Sequence, residues 1–269
     1  MSSSITVTKT STPDGESLSA LHEGYMLGTL RLHRPHPGRC LATRMELPET
    51  ELSREAGQAL LAEFLRQGHG IQLEALCWDR PQDLAFIQCL LRAGFHLKEE
   101  KLYVECLLGL NPSLQSADDP FTYEPLERLG PEAFIQVLSE LEEAPAGQCA
   151  LEHARAGFAE LEAMAGDALD GQAWQLAILE GQAAGLLLPQ PFPGRPEEGT
   201  LFYMGLRPGF RGRGLGHFIH LRGLARLAAM GVTRYLGSTP ATNKAMCRIF
   251  QRNGCQEMGL RRSYSAPAV

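Results

Sequence analysis

Residues 200–216 read TLFYMGLRPGFRGRGLG, and HFIHLRGLARLAAMG follows at 217–231. Leu201, Phe202, Tyr203, Met204 and Leu206 form an apolar and aromatic run that predicts a strand, ended by Pro208-Gly209. Gly212, Gly214 and Gly216 then occupy alternate positions. Glycines this close let the backbone turn sharply and let a ligand approach with no Cβ in the way. A helix beginning at the last of them aims its unpaired N–H groups into the turn, and its dipole favours an anion there. Arg211 and Arg213 add charge that a pyrophosphate can use. The stretch therefore predicts a strand–turn–helix phosphate cradle; a glycine-rich loop that merely turns the chain is the bland alternative.

Two familiar cradles do not fit. A dinucleotide-binding unit needs G-x-G-x-x-G and a later acid for the ribose. Here the spacing is G-x-G-x-G, and no Asp or Glu stands between Gly199 and Gln256. A P-loop needs Lys-Ser or Lys-Thr after the glycines, and neither is present. The pattern R-x-x-G-x-G at 211–216, after a strand and with Pro208 between, resembles the acyl-CoA motif of the GNAT N-acyltransferase superfamily. A second piece lies at Asn243–Gly254, NKAMCRIFQRNG, a predicted helix whose Asn, aliphatic, aromatic and Gly spacing resembles the segment that follows in that family. The likeness runs over about 121–264 and is most specific over 201–254.

The resemblance implies acetyl-CoA as cofactor, its diphosphate held by backbone N–H groups of the turn. The cofactor-binding residues it implies are Met204, Leu206, Arg211, Gly212, Arg213, Gly214, Leu215, Gly216, His217, Asn243 and Phe250. Where the family commonly has a tyrosine that protonates the departing thiolate, this chain has Phe250, which has no hydroxyl. Cys255 replaces the usual Phe after Gly254. The family's strand acid falls near Thr200, a poor base. The candidate catalytic residues are then Glu198, two positions earlier on the same strand face, and Tyr264 on the last strand as a proton donor. Tyr203 should point to the opposite face, into the core. His217 is placed to touch phosphate. No His/Cys/carboxylate cluster has metal spacing, and no G-x-S-x-G elbow is present.

Composition narrows the function classes. The chain has 269 residues, 44% hydrophobic and 21% charged, enough for one large domain or two ordinary ones. The net charge of −6 argues against a nucleic-acid binder. Yet residues 199–256 carry nine arginines and lysines and no acid, a positive island that suits a polyanionic small ligand. No apolar run is long enough to span a bilayer, and the N-terminus lacks the apolar core of a secretory signal. Seven cysteines without a C-x-x-C suit buried thiols in a reducing cytoplasm.

The predicted organisation is a flexible lead-in (1–17), a first domain (18–110), a linker (111–120) and a second domain (121–269). Pro189, Pro191, Pro193 and Pro196 predict a loop over 190–198. The halves look repeated: Pro48 and Pro208, Asp83 and Asn243, and Gly94 and Gly254 are each 160 positions apart. The expected fold class is mixed α/β (α+β): two GNAT-like domains, each a mostly antiparallel central sheet flanked by helices. In the first half Glu51 stands where Arg211 would be, and Arg54 and Ala56 stand where Gly214 and Gly216 would be. That copy is expected not to bind coenzyme A, since carboxylates repel phosphate. The expected activity is acetyl transfer to the primary amine of a small molecule or peptide, by a monomer or homodimer without nucleic-acid or membrane partners. The alternatives are a catalytically silent acyl-CoA-binding or scaffolding protein and, weakest, an RNA-contacting one.

Overall fold

The structure is a computed structural model that describes residues 5–12, 15–48, 52–68, 70–111 and 119–267. It divides into two compact units. One holds the chain up to Leu102 together with the segment from Gly259 onward; the other is Tyr103–Met258. The division therefore falls inside a strand, not at the predicted 111–120 linker, and the tail belongs with the first unit. Residues 112–118 of that linker lie outside the described residues.

In the first unit β1 (Thr6–Thr12), β2 (Gly15–His22), β3 (Tyr25–His36) and β4 (Arg39–Glu46) form an antiparallel meander. The expected flexible lead-in is thus corrected. Its Thr- and Ser-rich alternation forms a β1–β2 ladder in which Val7 faces Ala20, while residues 1–4 lie outside the described ones. Helix α1 (Ser53–Arg66) carries the chain over to β5 (Gln72–Trp78), which pairs parallel with β4 from Arg39↔Gln72 to Ala42↔Ala75. Ala56, Leu60 and Phe64, one turn apart, bury the inner face of α1. Helix α2 (Leu84–Arg92) and strand β6 (His96–Leu107) follow.

The second unit begins with β7 (Thr122–Pro125) and helices α3 (Leu126–Leu129), α4 (Pro131–Leu141) and α5 (Ala150–Ala165). Then come β8 (Gln175–Leu179), β9 (Gln182–Phe192), β10 (Arg195–Leu206), α6 (Gly216–Ala229), β11 (Arg234–Pro240), α7 (Lys244–Arg252) and β12 (Gln256–Ser265), whose last residues lie in the first unit. The sheet order is β11-β10-β9-β8-β7, antiparallel except for β10 with β11. Alternation along β9 sorts its two faces. Leu186 and Leu188 pack with Phe134, Leu138, Phe158 and Trp174 under α4 and α5, whereas Leu187 packs with Ile219 of α6.

The predicted proline-rich loop at 190–198 is instead strand on both sides of a tight turn. Pro189 and Pro191 lie beyond Leu187, the last β9 residue with a partner on β8. Their missing N–H groups therefore cost no ladder bond on that side.

Both halves of the sequence run through the same element order, β2–β3–β4–α1–β5–α2–β6 and β8–β9–β10–α6–β11–α7–β12. Helices α2 and α7 have 9 residues each and start at Leu84 and Lys244, the offset that the sequence repeat predicts. Where the second unit has α3 to α5 between its first two strands, the first has β1 and β2 paired antiparallel as far as Thr12↔Gly15.

Candidate active site

The signature stretch folds as strand, turn and helix. After β10 the chain makes one 3₁₀ turn at Pro208–Phe210, then passes through Gly212 at φ +74° and Gly214 at φ +73° into α6. Those left-handed values are costly for any residue with a Cβ. A Cβ built on Gly212 or Gly214 meets nothing within 4 Å, so the space before the turn is open. At Gly216, the first residue of α6, a Cβ would come to 2.8 Å from Ile249 Cδ1, which lets α7 approach the helix start closely. Among the described residues no side chain caps α6, so its first N–H groups are available to an anion.

Strand pairing opens a cleft beside this turn. The β10–β11 ladder consists of Glu198↔Arg234 and Gly199↔Tyr235, so β10 continues to Leu206 beyond the last pair. On the other side β10 carries a bulge. Leu201 pairs with Pro189 and Tyr203 with Leu188, which leaves Phe202 as the extra residue. Phe202 and Tyr203 consequently both pack toward the α4–α5 core, while Met204 packs toward α6. A cavity of about 650 Å³ lies at this fork. Its walls combine the turn with the apolar side chains of Met204, Leu206, Leu215, Met246 and Ile249, and with Arg211, Arg248 and Arg252. Among the described residues Arg213, Arg248 and Arg252 have no acidic partner, and Arg211 Nε donates to the Leu206 carbonyl at 2.7 Å.

A buried polar network fixes the start of α6. His217 Nδ1 lies 2.6 Å from the Gly214 carbonyl, so it is the protonated nitrogen, and the bond ties the helix to the turn. Burial lowers the His217 pKa from 6.5 and favours the neutral ring. One turn on, His220 is wholly buried, and that burial lowers its pKa to about 3. The Asn253 amide nitrogen donates to His220 Nδ1 and to the His217 carbonyl, both at 2.9 Å, which leaves the His220 proton on Nε2, 3.4 Å from the Tyr235 hydroxyl. Asn243 accepts from the Met246 N–H at 3.1 Å and so caps α7 against the same cavity.

Most of the expected cofactor residues come together. Met204, Leu206, Arg211, Gly212, Gly214, Leu215, Gly216, His217 and Asn243 line the cavity. Arg213 does not; it points across the Phe210 ring, 6.0 Å from its centroid. Phe250 is also displaced. It is 2% exposed and packs edge-on to His220 at 5.4 Å, and its neighbour Ile249 lines the cavity instead.

The two expected catalytic residues stand elsewhere. Glu198 is bound by Arg195 at 2.5 Å and Arg234 at 2.9 Å. It lies six residues before Met204, about 20 Å along an extended strand. Tyr264 pairs opposite Ala75 and is buried in the apolar core of the first unit. Neither lines the cavity. Tyr203 packs against the α4–α5 core on the face opposite Met204, as expected, and also lines the cavity; the residue that the bulge displaces is Phe202, which leaves the Met204 face. Leu141, Met246, Arg248 and Arg252 are wall residues that sequence reasoning did not single out; the positive island held the signal for the two arginines. In the first half, Glu51 lies outside the described residues, while Arg54 and Ala56 lie in α1.

Residues 120–255 match the model of the acetyltransferase (GNAT) family. The chain belongs to the GNAT acetyltransferase family. Solved structures of GNAT proteins share its fold over nearly the whole length. A GCN5-related N-acetyltransferase from Sphaerobacter thermophilus matches with TM-score 0.65 at 15% identity, covering 94% of this chain and 82% of that one. A tandem GNAT protein from the clavulanic acid biosynthesis pathway, solved without AcCoA, gives 0.60 at 18% identity over 94% and 83%. A GNAT-family acetyltransferase from Colwellia psychrerythraea gives 0.57 at 16% over 94% and 85%. At these identities the likeness is one of fold. In sequence, 60 residues are 37% identical to a mycothiol acetyltransferase of Mycobacteroides abscessus, a match that spans 22% of this chain and 20% of that relative.

Proposed function

We propose that this GNAT protein transfers an acetyl group from acetyl-CoA to a primary amine by direct attack, with the cofactor in the Tyr103–Met258 unit. The observation that carries this reading is the cavity at the β10–β11 fork, bounded by the glycine turn and the uncapped start of α6. Its parts fit the cofactor. The N–H groups of 212–217 and the guanidinium groups of Arg211, Arg248 and Arg252 suit a diphosphate. The side chains of Met204, Leu206, Leu215, Met246 and Ile249 suit an apolar pantetheine arm. Acetyl-CoA supplies an activated acyl carbon. The protein's own tasks are to anchor the diphosphate, to hold α6 against the turn through His217 and Asn253, and to leave part of the β10 backbone unpaired at the fork to polarise a carbonyl.

The first unit, on this reading, is a degenerate tandem copy. The shared element order and the helices 160 residues apart support that view. Calorimetric titration with coenzyme A and release of free thiol from acetyl-CoA with an amine panel test the proposal. Binding with no thiol release for any amine supports the second reading, a silent acyl-CoA-binding protein, which the missing hydroxyl at Phe250 favours. No binding removes both.

A further inference from the structure

A second cavity lies wholly within the first unit, at that unit's own fork. Strand β4 pairs with β5 from Arg39↔Gln72 to Ala42↔Ala75. Beyond those pairs β4 runs on to Glu46, and β5 runs on to Trp78, which pairs with Arg261 of β12. The two strands part there, and the cavity, of about 770 Å³, opens beside them. Its chemistry differs from that of the cradle. Among the described residues none of its walls belongs to α1, so no helix start turns N–H groups toward it. Met45, Leu47 and the Trp78 ring are apolar walls, and Met26, 61% exposed, stands at the rim. Strand β3 passes close by: a Cβ built on Gly28 would come 2.6 Å from Leu47 Cδ2.

Two charges complete the cavity. Arg80 and Asp83 flank one 3₁₀ turn, across which the Asp83 N–H donates to the Arg80 carbonyl at 2.9 Å. Side chains three apart in such a turn share a face, and both residues line the cavity. The Arg80 guanidinium lies over the Trp78 ring, 4.6 Å from its centroid, a stack that holds its fork of donors in place. Neighbouring charges are already matched. Arg44 binds Glu46 at 2.7 Å, and Arg262 binds Asp79 at 2.9 Å. Among the described residues neither Arg80 nor Asp83 makes an ion pair. Asn243, 160 positions on, uses its side chain to cap α7, whereas Asp83 makes no cap bond to α2. Burial raises the Asp83 pKa from 3.8, against the pull of Arg80 and Arg44. A cation and an anion fixed on one turn, beside apolar walls, match a molecule that carries both charges and an apolar group.

We propose that this cavity binds a free α-amino acid with an apolar or aromatic side chain. Arg80 receives the carboxylate, Asp83 receives the ammonium group, and Met26, Met45, Leu47 and Trp78 enclose the side chain. The fork that the second half uses as a cradle thus serves a zwitterion in the first, where the glycine turn and the helix start are missing from the walls. The site does not depend on the acetyl-transfer reading, because every wall residue belongs to the first unit.

The test titrates the full chain with the common free amino acids, up to about 20 mM, by calorimetry and by tryptophan fluorescence. The chain has two tryptophans, and Trp174 is wholly buried in the second unit, so Trp78 is the reporter. At least one apolar or aromatic amino acid should bind with Kd below about 0.5 mM and change the fluorescence. Its N-acetyl derivative and its amide, which each lack one charge, should bind at least about tenfold more weakly. Arg80→Gln should weaken the free amino acid about tenfold while leaving the amide within about threefold, and Asp83→Asn should do the same for the free amino acid and the N-acetyl derivative. Absence of saturable binding of any amino acid to the wild type would overturn the proposal. So would a derivative that binds as tightly as the free amino acid, or an affinity that both substitutions leave within about threefold. The derivatives are compared on the wild type, so the proposal can fail even where a variant does not fold.

Discussion

Gly214→Glu places a carboxylate at the centre of the cradle. The site has room for a Cβ, since one built there meets nothing within 4 Å, but φ is +73°. The fold therefore bears a backbone strain of roughly 1–2 kcal/mol, which for a chain of this size lowers Tm by about 2–4 °C per kcal/mol. Binding suffers more. A carboxylate about 5 Å from a diphosphate, at an effective dielectric of about 20, is repelled by roughly 3 kcal/mol per charge pair, more than a hundredfold in affinity. Gly214→Ala separates the two effects, because it carries the same strain without the charge. Calorimetry with coenzyme A should show the Glu variant at least about 30-fold weaker than the Ala variant, with Tm values within a few degrees of each other. Equal affinities in the two variants would refute the electrostatic cradle.

Further predictions follow from other parts of the site. His217 is kept neutral by burial, so a bound diphosphate should pull a proton onto it; coenzyme A affinity should rise as pH falls from 7 toward 5.5, and His217→Gln should flatten that slope. His220, with its pKa lowered to about 3, takes no proton in the fold, whereas the unfolded chain takes one near pH 6.5. Stability is therefore lost as pH falls below that value, by about 2 kcal/mol per 1.5 pH units, and His220→Gln should reduce the loss in thermal melts at pH 7 and 5. Glu198→Gln should leave thiol release intact, because its ion pairs with Arg195 and Arg234 place it at the far end of β10; a loss beyond about tenfold would restore it as a base. Arg248→Ala with Arg252→Ala should weaken coenzyme A binding and reduce its salt dependence, whereas Arg54→Gly in the first unit should change neither.

The strand–turn–helix geometry was legible because its signals are local. Three glycines and a helix start lie within a few residues, and of the two arginines among them Arg211 lines the cavity whereas Arg213 lies over Phe210. The strand at 201–206 and the helix at 243–254 were legible from periodicity, and the matching starts of α2 and α7 from the fixed offset of 160. Other features depend on partners distant in the chain. One bulge turns Phe202 away from the Met204 face and toward the α4–α5 core, and only the β9 register reveals it. The prolines of 189–196 resemble a loop until the unpaired side of β9 is known. Tyr264 sits on the last strand as expected, but that strand continues beside β5 and buries the ring among first-unit residues. The lead-in resembled a tail because its strands are rich in Thr and Ser, and the pairing of β1 with β2 orders it.

A crystal structure with coenzyme A tests the central claim most directly. The account predicts diphosphate oxygens within hydrogen-bond distance of the backbone N–H groups of residues 212–217, with the thiol end reaching the β10–β11 fork. A diphosphate bound in the first unit, or held away from that turn, would contradict it.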